Sequence, residues 1–155
     1  MNIFLLDKNY KLNCQYHCDK HVVKMILEYA QLISTALRAQ GHDVGYRKTH
    51  VNHPCAKWAR ESRSNLLFLF DLIKHLNEEY RYRYEKLWDH KAYDKVRDLR
   101  HWTRNMKDVG LTPFPQAMPD QYKSDNPILA YRDYYIGDKR HIAKWTRRPI
   151  PCWWK

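Results

Sequence analysis

Apolar residues recur at three- and four-residue steps along two long segments, and this period predicts amphipathic helices. The first predicted helix runs from Asp19, its expected N-cap, to about Arg38. Its apolar positions are Val22, Val23, Ile26, Ala30, Ile33 and Leu37. The second begins at Pro54, which a first helical turn tolerates, and runs to about Tyr84. Its expected buried stripe is Ala59, Ser62, Leu66, Leu69, Ile73, Leu76 and Tyr80.

The remaining segments have weaker periodicity. Residues 1–12 are expected to be extended or irregular, and a third helix is predicted from about Ala92 to Met106. Four prolines make residues 111–127 a loop. Asn126 and Pro127 then read as the cap and first turn of a last helix that ends near Trp145. Two prolines in the tail, residues 147–155, exclude a helix there.

These elements predict an all-α fold: a compact bundle of about three to four helices with long irregular loops and a non-helical, aromatic C-terminal tail. The 155 residues form one domain, 1–155, and the scarcity of glycine, with four in the chain, favours helices. No apolar run is long enough to span a membrane, and the apolar start is too short for a signal peptide. We expect a cytoplasmic monomer, in a bacterial or phage-infected cell.

The charge of the chain points to a polyanionic partner. Lys and Arg number 28 against 17 Asp and Glu, which gives a formal net charge of +11. Such an excess favours double-stranded DNA, or single-stranded nucleic acid, as the partner. Twelve Tyr and six Trp could stack on bases, although aromatic residues also form cores.

A polar stripe crosses the first predicted helix opposite its apolar face. It comprises His17, His21, Lys24, Glu28, Gln31 and Thr35. The five from His21 onward fall within an arc of roughly 80°. One interpretation is a site centred on Glu28, whose carboxylate would stabilise positive charge or activate a nucleophile. The other is an exposed face with an ordinary Lys24–Glu28 ion pair.

The cysteines and histidines suggest two other kinds of site, a zinc site and a cysteine nucleophile. Cys14, His17, Cys18 and His21 have nearly the spacing of a zinc site, but no C-x-x-C pair occurs. The four cysteines are expected to be reduced thiols. A Cys18 or Cys55 nucleophile would need a histidine partner that the sequence does not place. We therefore predict neither a metal nor a cofactor.

Two basic regions are candidate DNA contacts. The loop at residues 45–53 precedes a helix N-terminus, which adds backbone donors for phosphates. The tail combines cations with tryptophans that either stack on DNA or dock on the core as a clasp. The predicted DNA-binding residues are His17, Gln31, Arg47, Lys48, His50, Asn52, His53, Lys57, Arg60, Gln116, Lys144, Trp145, Arg147, Arg148, Trp153 and Trp154.

With these residues identified, the chain resembles, distantly, the phage and bacterial pyrimidine-dimer DNA glycosylase/lyases of the endonuclease V type. The segments that carry the resemblance are the start Met1–Leu6 with Asn9–Leu12, the triplet Asp19–His21 with Glu28 nine residues after the Asp, Gly45–Tyr46 with Asn52–Pro54, and the basic aromatic C-terminus. The chain also resembles an uncharacterised phage-type group in residues 19–25 and 112–120, from which no activity follows.

The resemblance implies a base-excision chemistry. In that family the N-terminal α-amine attacks the sugar C1′ and displaces the base, a Schiff base forms, and β-elimination cuts the strand. Carried over, Met1 supplies the amine, Glu28 stabilises the charged sugar and moves protons, and His21 lies beside it. The sequence departs from the family at Asn2, whose bulk keeps Met1 in place, and at Gln31, where the phage enzyme has an Arg. Lys24 is a substitute nucleophile if its charge is suppressed.

Three functions follow from these patterns. The first is a DNA glycosylase, with or without lyase activity, on a damaged or modified pyrimidine in duplex DNA. The second is an enzyme of modified-base metabolism on a related scaffold, with Gln116, Asp120 and Tyr122 holding the substrate. The third is a non-catalytic DNA- or RNA-binding protein. Loss of Glu28 would abolish turnover in the first two and leave binding intact or improved in the third.

Overall fold

Six α-helices and three short 3₁₀ helices form the protein, and a computed structural model describes all 155 residues. The α-helices are α1 (Tyr10–Tyr16), α2 (Asp19–Ala39), α3 (Pro54–Glu61), α4 (Arg63–Arg83), α5 (Lys91–Asp94) and α6 (Pro127–Asp138). The 3₁₀ helices are Arg97–Thr103, Asp120–Tyr122 and Arg140–Ile142. No β-strand occurs, so the all-α prediction is confirmed, with more helices than the three to four expected.

Helix α2 is the centre of the fold and packs against α3, α4 and α5. Its bounds match the predicted helix within one residue, and Val22, Ile26 and Ile33 are fully buried as expected. Asp19 is the first helical residue rather than the N-cap. Its carboxylate accepts hydrogen bonds from Thr146, which attaches the tail to the start of α2.

The predicted second helix is two helices, because the chain is extended at Ser62 (φ −144°, ψ 145°). The Ser62 hydroxyl donates to Asp108 at 2.9 Å, and Asp108 also accepts from the Ser64 N–H at 3.2 Å. The prediction of one continuous helix was therefore wrong, since a distant loop residue caps the second half. The buried stripe is confirmed except at Tyr80, which is half-buried.

The N-terminal segment is extended and buried from Ile3 to Leu6, and α1 follows it. The expectation of an irregular start up to residue 12 was wrong for its last part. Asn9 caps α1 by accepting hydrogen bonds from the backbone N–H groups of Lys11 and Leu12. A short helix with an asparagine cap has too few residues to show a hydrophobic period.

Residues 85–155 contain little regular helix. The predicted helix from Ala92 to Met106 is instead the single turn α5 followed by a 3₁₀ helix. The last helix begins at Pro127, with Asn126 as its cap as predicted, but ends at Asp138 rather than near Trp145. Residues 111–126 form the predicted loop, interrupted only by the 3₁₀ turn Asp120–Tyr122, and the tail is non-helical. No helix is both long and apolar enough to cross a bilayer.

Candidate active site

A polar cavity of about 250 Å³ opens where the N-terminus, α2 and α6 meet. Its lining residues are Met1, Asn2, Phe4, His21, Lys24, Met25, Glu28, His53, Ala117, Tyr134 and Lys139. A larger cavity of about 390 Å³ lies around Phe68 and Phe114. That cavity is mainly apolar and contains no carboxylate or histidine. The smaller one holds a carboxylate and two histidines beside the N-terminal amine, which makes it the candidate active site.

Glu28 lies in this cavity between two amines. Its Oε2 is 3.5 Å from the α-amino nitrogen of Met1, and its Oε1 is 3.6 Å from Nζ of Lys24. The backbone N–H of Asn2 also donates to Oε2, at 3.0 Å. The Glu28 side chain is 14% exposed and that of Met1 only 3%, whereas Lys24 is 68% exposed. The structure thus brings together the three groups Met1, Lys24 and Glu28 that the sequence singled out.

The side chain of Asn2 fixes the position of the N-terminus. Its Nδ2 donates to the Ala117 carbonyl at 2.8 Å, and its Oδ1 accepts from the Tyr131 hydroxyl at 2.9 Å. The same hydroxyl is 2.7 Å from the carbonyl of Pro115, so the two acceptors share one donor. Residues 115–117 and α6 therefore hold the Met1 amine against Glu28.

His21 lines the cavity as a neutral ring. Burial, together with the nearby His17, Lys139 and Lys24, lowers its pKa to about 3. Its Nδ1 is hydrogen-bonded to the Tyr135 hydroxyl, and its ring stacks on Phe4 with centroids 4.5 Å apart. The arrangement in which the hydroxyl donates to Nδ1 leaves the ring proton on Nε2. With a pKa of about 3, His21 is neutral at physiological pH and not a cation.

The rim of the cavity is basic and aromatic. Nζ of Lys139 lies 4.6 Å from the ring centroid of Tyr134, and both line the cavity with His53. Partial burial lowers the pKa of His53, and the amino terminus and His50 lower it further. With Lys24 and the α-amine, the cavity carries more positive than negative charge. It can therefore accept an anionic group next to the Glu28 carboxylate.

The chain matches no family model, no curated protein and no solved structure. The resemblance to the pyrimidine-dimer glycosylases therefore stays a prediction that rests on the short motifs given above.

Other predicted residues of the stripe lie outside the cavity. His17 is fully buried, with Nδ1 2.7 Å from the Asn13 carbonyl and Nε2 3.0 Å from the Tyr29 hydroxyl. Because it is fully buried at the end of α1, it is a core residue and cannot contact DNA. Gln31 is half-buried and does not line the cavity. Gln116 makes two hydrogen bonds to the backbone of Ser124 and so shapes the loop beside Ala117.

The predicted basic loop leads directly into the cavity. Arg47, Lys48, His50, Asn52 and Lys57 are exposed. His53 caps α3 by accepting from the Cys55 N–H, and it lines the cavity at the same time. Arg60 donates to the Val51 carbonyl at 2.6 Å, which holds the loop against α3. Contact of this surface with DNA stays a prediction.

The tail docks on the body of the protein, so its tryptophans form the clasp that was one of the two interpretations. Trp145 is buried, and its Nε1 donates to the Tyr16 carbonyl at 2.9 Å. Trp153 packs edge-on against Tyr16, and Trp154 packs against Trp145. Arg148 bonds to Glu79, and Arg147 pairs with Glu85 and lies over Tyr82. Lys144 is exposed.

The cysteines and histidines do not gather into a second site. No three His, Cys, Asp or Glu side chains in the chain are arranged to hold a metal ion. All four cysteines are free thiols. Burial raises the pKa of Cys55 to about 12 and also raises that of Cys18, which opposes formation of a nucleophilic thiolate.

Sequence reasoning missed several residues that build the cavity. Phe4, Tyr134 and Lys139 line it, and Tyr131 positions the N-terminus. Asn2 was noted only for its bulk. One signal in the sequence pointed to this part of the cavity: segment 112–120 resembles a phage-type group. The carbonyl of Ala117, in that segment, accepts the hydrogen bond from Asn2.

Proposed function

We propose that this protein is a DNA glycosylase that uses the α-amino group of Met1 as its nucleophile and Glu28 as its proton-transferring carboxylate. The observation that supports the proposal is the 3.5 Å approach of the α-amine to Glu28 inside an open polar cavity. A solvated N-terminus has no reason to be anchored in this way. The surrounding hydrogen bonds of Asn2 keep the amine in one place before substrate arrives, and such preorganisation is what catalysis requires.

The chemistry follows from these groups. Glu28 accepts a proton from the ammonium, and the neutral amine attacks C1′ of a deoxyribose, forming a C–N bond as the bond from C1′ to the base breaks. The base leaves with its electron pair and takes up a proton. Opening of the C1′–O4′ bond, with protonation of O4′, gives an iminium ion. An α-amine suits this role because it is less basic than a lysine side chain.

A lyase step would use the same carboxylate. Removal of a C2′ proton from the iminium breaks the C3′–O bond and releases the 3′ strand with its electron pair, and water then hydrolyses the imine. Glu28 is the only carboxylate in the cavity and is the base for this transfer. His21, as a neutral donor, can hydrogen-bond the departing base or the sugar oxygen.

DNA is favoured as the substrate by the charge around the cavity. The net charge of +11 and the exposed cations of the 45–53 loop beside His53 suit a polyphosphate strand. A volume of about 250 Å³ is at the small end of ligand cavities. It fits one sugar or base, so a nucleotide would have to leave the duplex stack to reach Glu28.

Borohydride trapping tests the proposal. The protein is incubated with sodium borohydride and duplex oligonucleotides that carry either one abasic site or one cyclobutane thymine dimer, and adducts are resolved on a denaturing gel. We expect a covalent band with the abasic duplex and, where the dimer is the lesion, with the dimer duplex. Peptide mapping should place the adduct on Met1. Absence of any adduct with intact DNA binding would overturn the amine mechanism.

Matched variants separate the two amines. Lys24→Ala should retain most trapping, because Lys24 is exposed, and Lys20→Ala on the same helix is the control for loss of one exposed charge. Glu28→Gln should reduce trapping by at least ~100-fold while binding persists. An adduct that disappears in Lys24→Ala would transfer the nucleophile to that lysine. Full activity in Glu28→Gln would exclude the proposed site.

A further inference from the structure

A third cleft in the protein is lined by three arginines and one histidine. Arg63, Arg100, His101 and Arg104 surround a space of about 320 Å³ between the start of α4 and the 3₁₀ helix Arg97–Thr103. No apolar or acidic side chain lines it. This cleft shares no residue with the cavity of Glu28.

The positive charge of this cleft is incompletely balanced. Arg100 pairs with Asp71 at 2.6 Å, but neither Arg63 nor Arg104 has a carboxylate within 4.0 Å. Nε of Arg63 is buried and has no hydrogen-bond partner. Buried donors are nearly always paired, and a cation at the first position of a helix is disfavoured by the helix dipole. An anion in the cleft would offset the unfavourable position of the Arg63 charge at the helix start.

The side chains must provide most of the binding, because the first two backbone donors of α4 are occupied. The Arg63 N–H donates to the Lys107 carbonyl, and the Ser64 N–H donates to Asp108. Guanidinium groups present planar pairs of N–H donors that match the oxygens of a phosphate. The fitting ligand is therefore a phosphate group, either free or in a phosphodiester.

The position of the cleft favours a phosphodiester of DNA. His53 lines the candidate active site and caps α3, and Arg63 starts α4 just after α3 ends. Helix α3, with eight residues, spans roughly 12 Å between them, which is the rise of about three to four base pairs. We propose that the Arg63–Arg104 cleft binds a backbone phosphate of duplex DNA, a few nucleotides from the position that enters the Glu28 cavity. The choice of DNA rests on the proposed function.

Salt-dependent binding tests this proposal. Arg104→Ala is compared with Lys86→Ala, both in a Glu28→Gln background, by fluorescence anisotropy with an undamaged duplex. Arg104 and Lys86 are both exposed and free of ion pairs, and Lys86 lies beyond the far end of α4. We expect Arg104→Ala to weaken binding several-fold and to reduce the log–log salt slope by about 1. Lys86→Ala should change neither. Equal behaviour of the two variants would overturn the proposal.

A second arm distinguishes free phosphate from a DNA phosphate. The Arg side-chain NMR signals of the Glu28→Gln protein are titrated with inorganic phosphate and, separately, with the duplex. We expect the duplex to shift the Arg63 and Arg104 signals at micromolar concentration and inorganic phosphate only at millimolar. The reverse order would mean a site for free anions and would overturn the proposal. Because the duplex is undamaged and Glu28 is replaced, these results do not depend on the trapping experiment.

Discussion

Asn2 joins three parts of the chain around the candidate active site. Its backbone N–H bonds to Glu28 on α2, its Nδ2 to the loop at Ala117, and its Oδ1 to Tyr131 on α6. Asparagine suits this position because one short side chain offers both a donor and an acceptor. The consequence is that the amine of the preceding residue has a fixed place, which a free terminus would lack.

We predict that Asn2→Leu slows trapping by about 10-fold or more, because a small displacement of a nucleophile costs rate far more than binding. Leucine keeps the bulk at position 2, so Met1 should stay in place. The single-turnover rate with an abasic duplex and the DNA affinity are measured together, and only the rate should fall. Asn105→Leu, at an exposed asparagine without hydrogen bonds, is the control. A parallel loss of rate and affinity would mean that Asn2 only supports the fold.

At the scale of the element, α4 carries two adjacent glutamates with opposite environments. Glu79 is 4% exposed and bonds to Arg83 at 2.6 Å and to Arg148 of the tail at 2.8 Å. Burial alone would raise the pKa of Glu79, but Arg148 and Arg83 together bring it below its usual range. Glu78 is 53% exposed and bonds only to His75. The same helix thus presents one face to the clasp and another to solvent.

Glu79→Ala should lower the free energy of unfolding by about 1.5–3 kcal/mol, since it removes one of the two carboxylates paired with the buried Arg83, the other being Asp19, and also the partner of Arg148. Glu78→Ala should change it by less than about 0.5 kcal/mol. Urea unfolding followed by circular dichroism measures both. Equal effects of the two substitutions would show that the Glu79 network contributes no more than a surface ion pair.

The helices were predictable where apolar residues recur with a helical period along the chain. Helix α2 shows a full period of apolar residues, so its bounds and its buried face could be predicted closely. The break at Ser62 could not, because it depends on Asp108, which is 46 residues away in sequence. The Met1–Glu28 contact was reached only through a family resemblance. Tyr131, Tyr134 and Lys139, which complete the candidate active site, lie on α6 or just after it. No local sequence pattern relates them to α2.

On the scale of the whole molecule, two histidines are buried without charge inside the assembled core. Burial lowers the pKa of His17 to about 4 and that of His21 to about 3, against an ordinary value of 6.5. The unfolded chain therefore binds protons that the folded one excludes as the pH falls below about 6.5. The stability that depends on these two neutral rings is fully present above that pH and is lost progressively toward pH 4.

We expect the free energy of unfolding to fall between pH 6.5 and 4.5 by up to about 1.4 kcal/mol per pH unit for each of the two histidines. Denaturant unfolding at half-unit pH steps measures it. His141→Asn, at an exposed histidine, should leave the slope unchanged. A stability that stays constant from pH 6.5 to 4.5 would contradict the burial of neutral rings.

The placement of the Met1 amine beside Glu28 also determines how the protein can be produced. An affinity tag or fusion partner joined ahead of Met1 would turn the amine into an amide, whose nitrogen has no lone pair to offer. We expect such a preparation to fold yet to lack the proposed chemistry. Oε2 of Glu28 lies within 3.5 Å of both the Met1 and the Asn2 nitrogen, so trimming one residue would leave an amine in reach. Recombinant samples should therefore carry their tag elsewhere or be cleaved to a native first residue before assay.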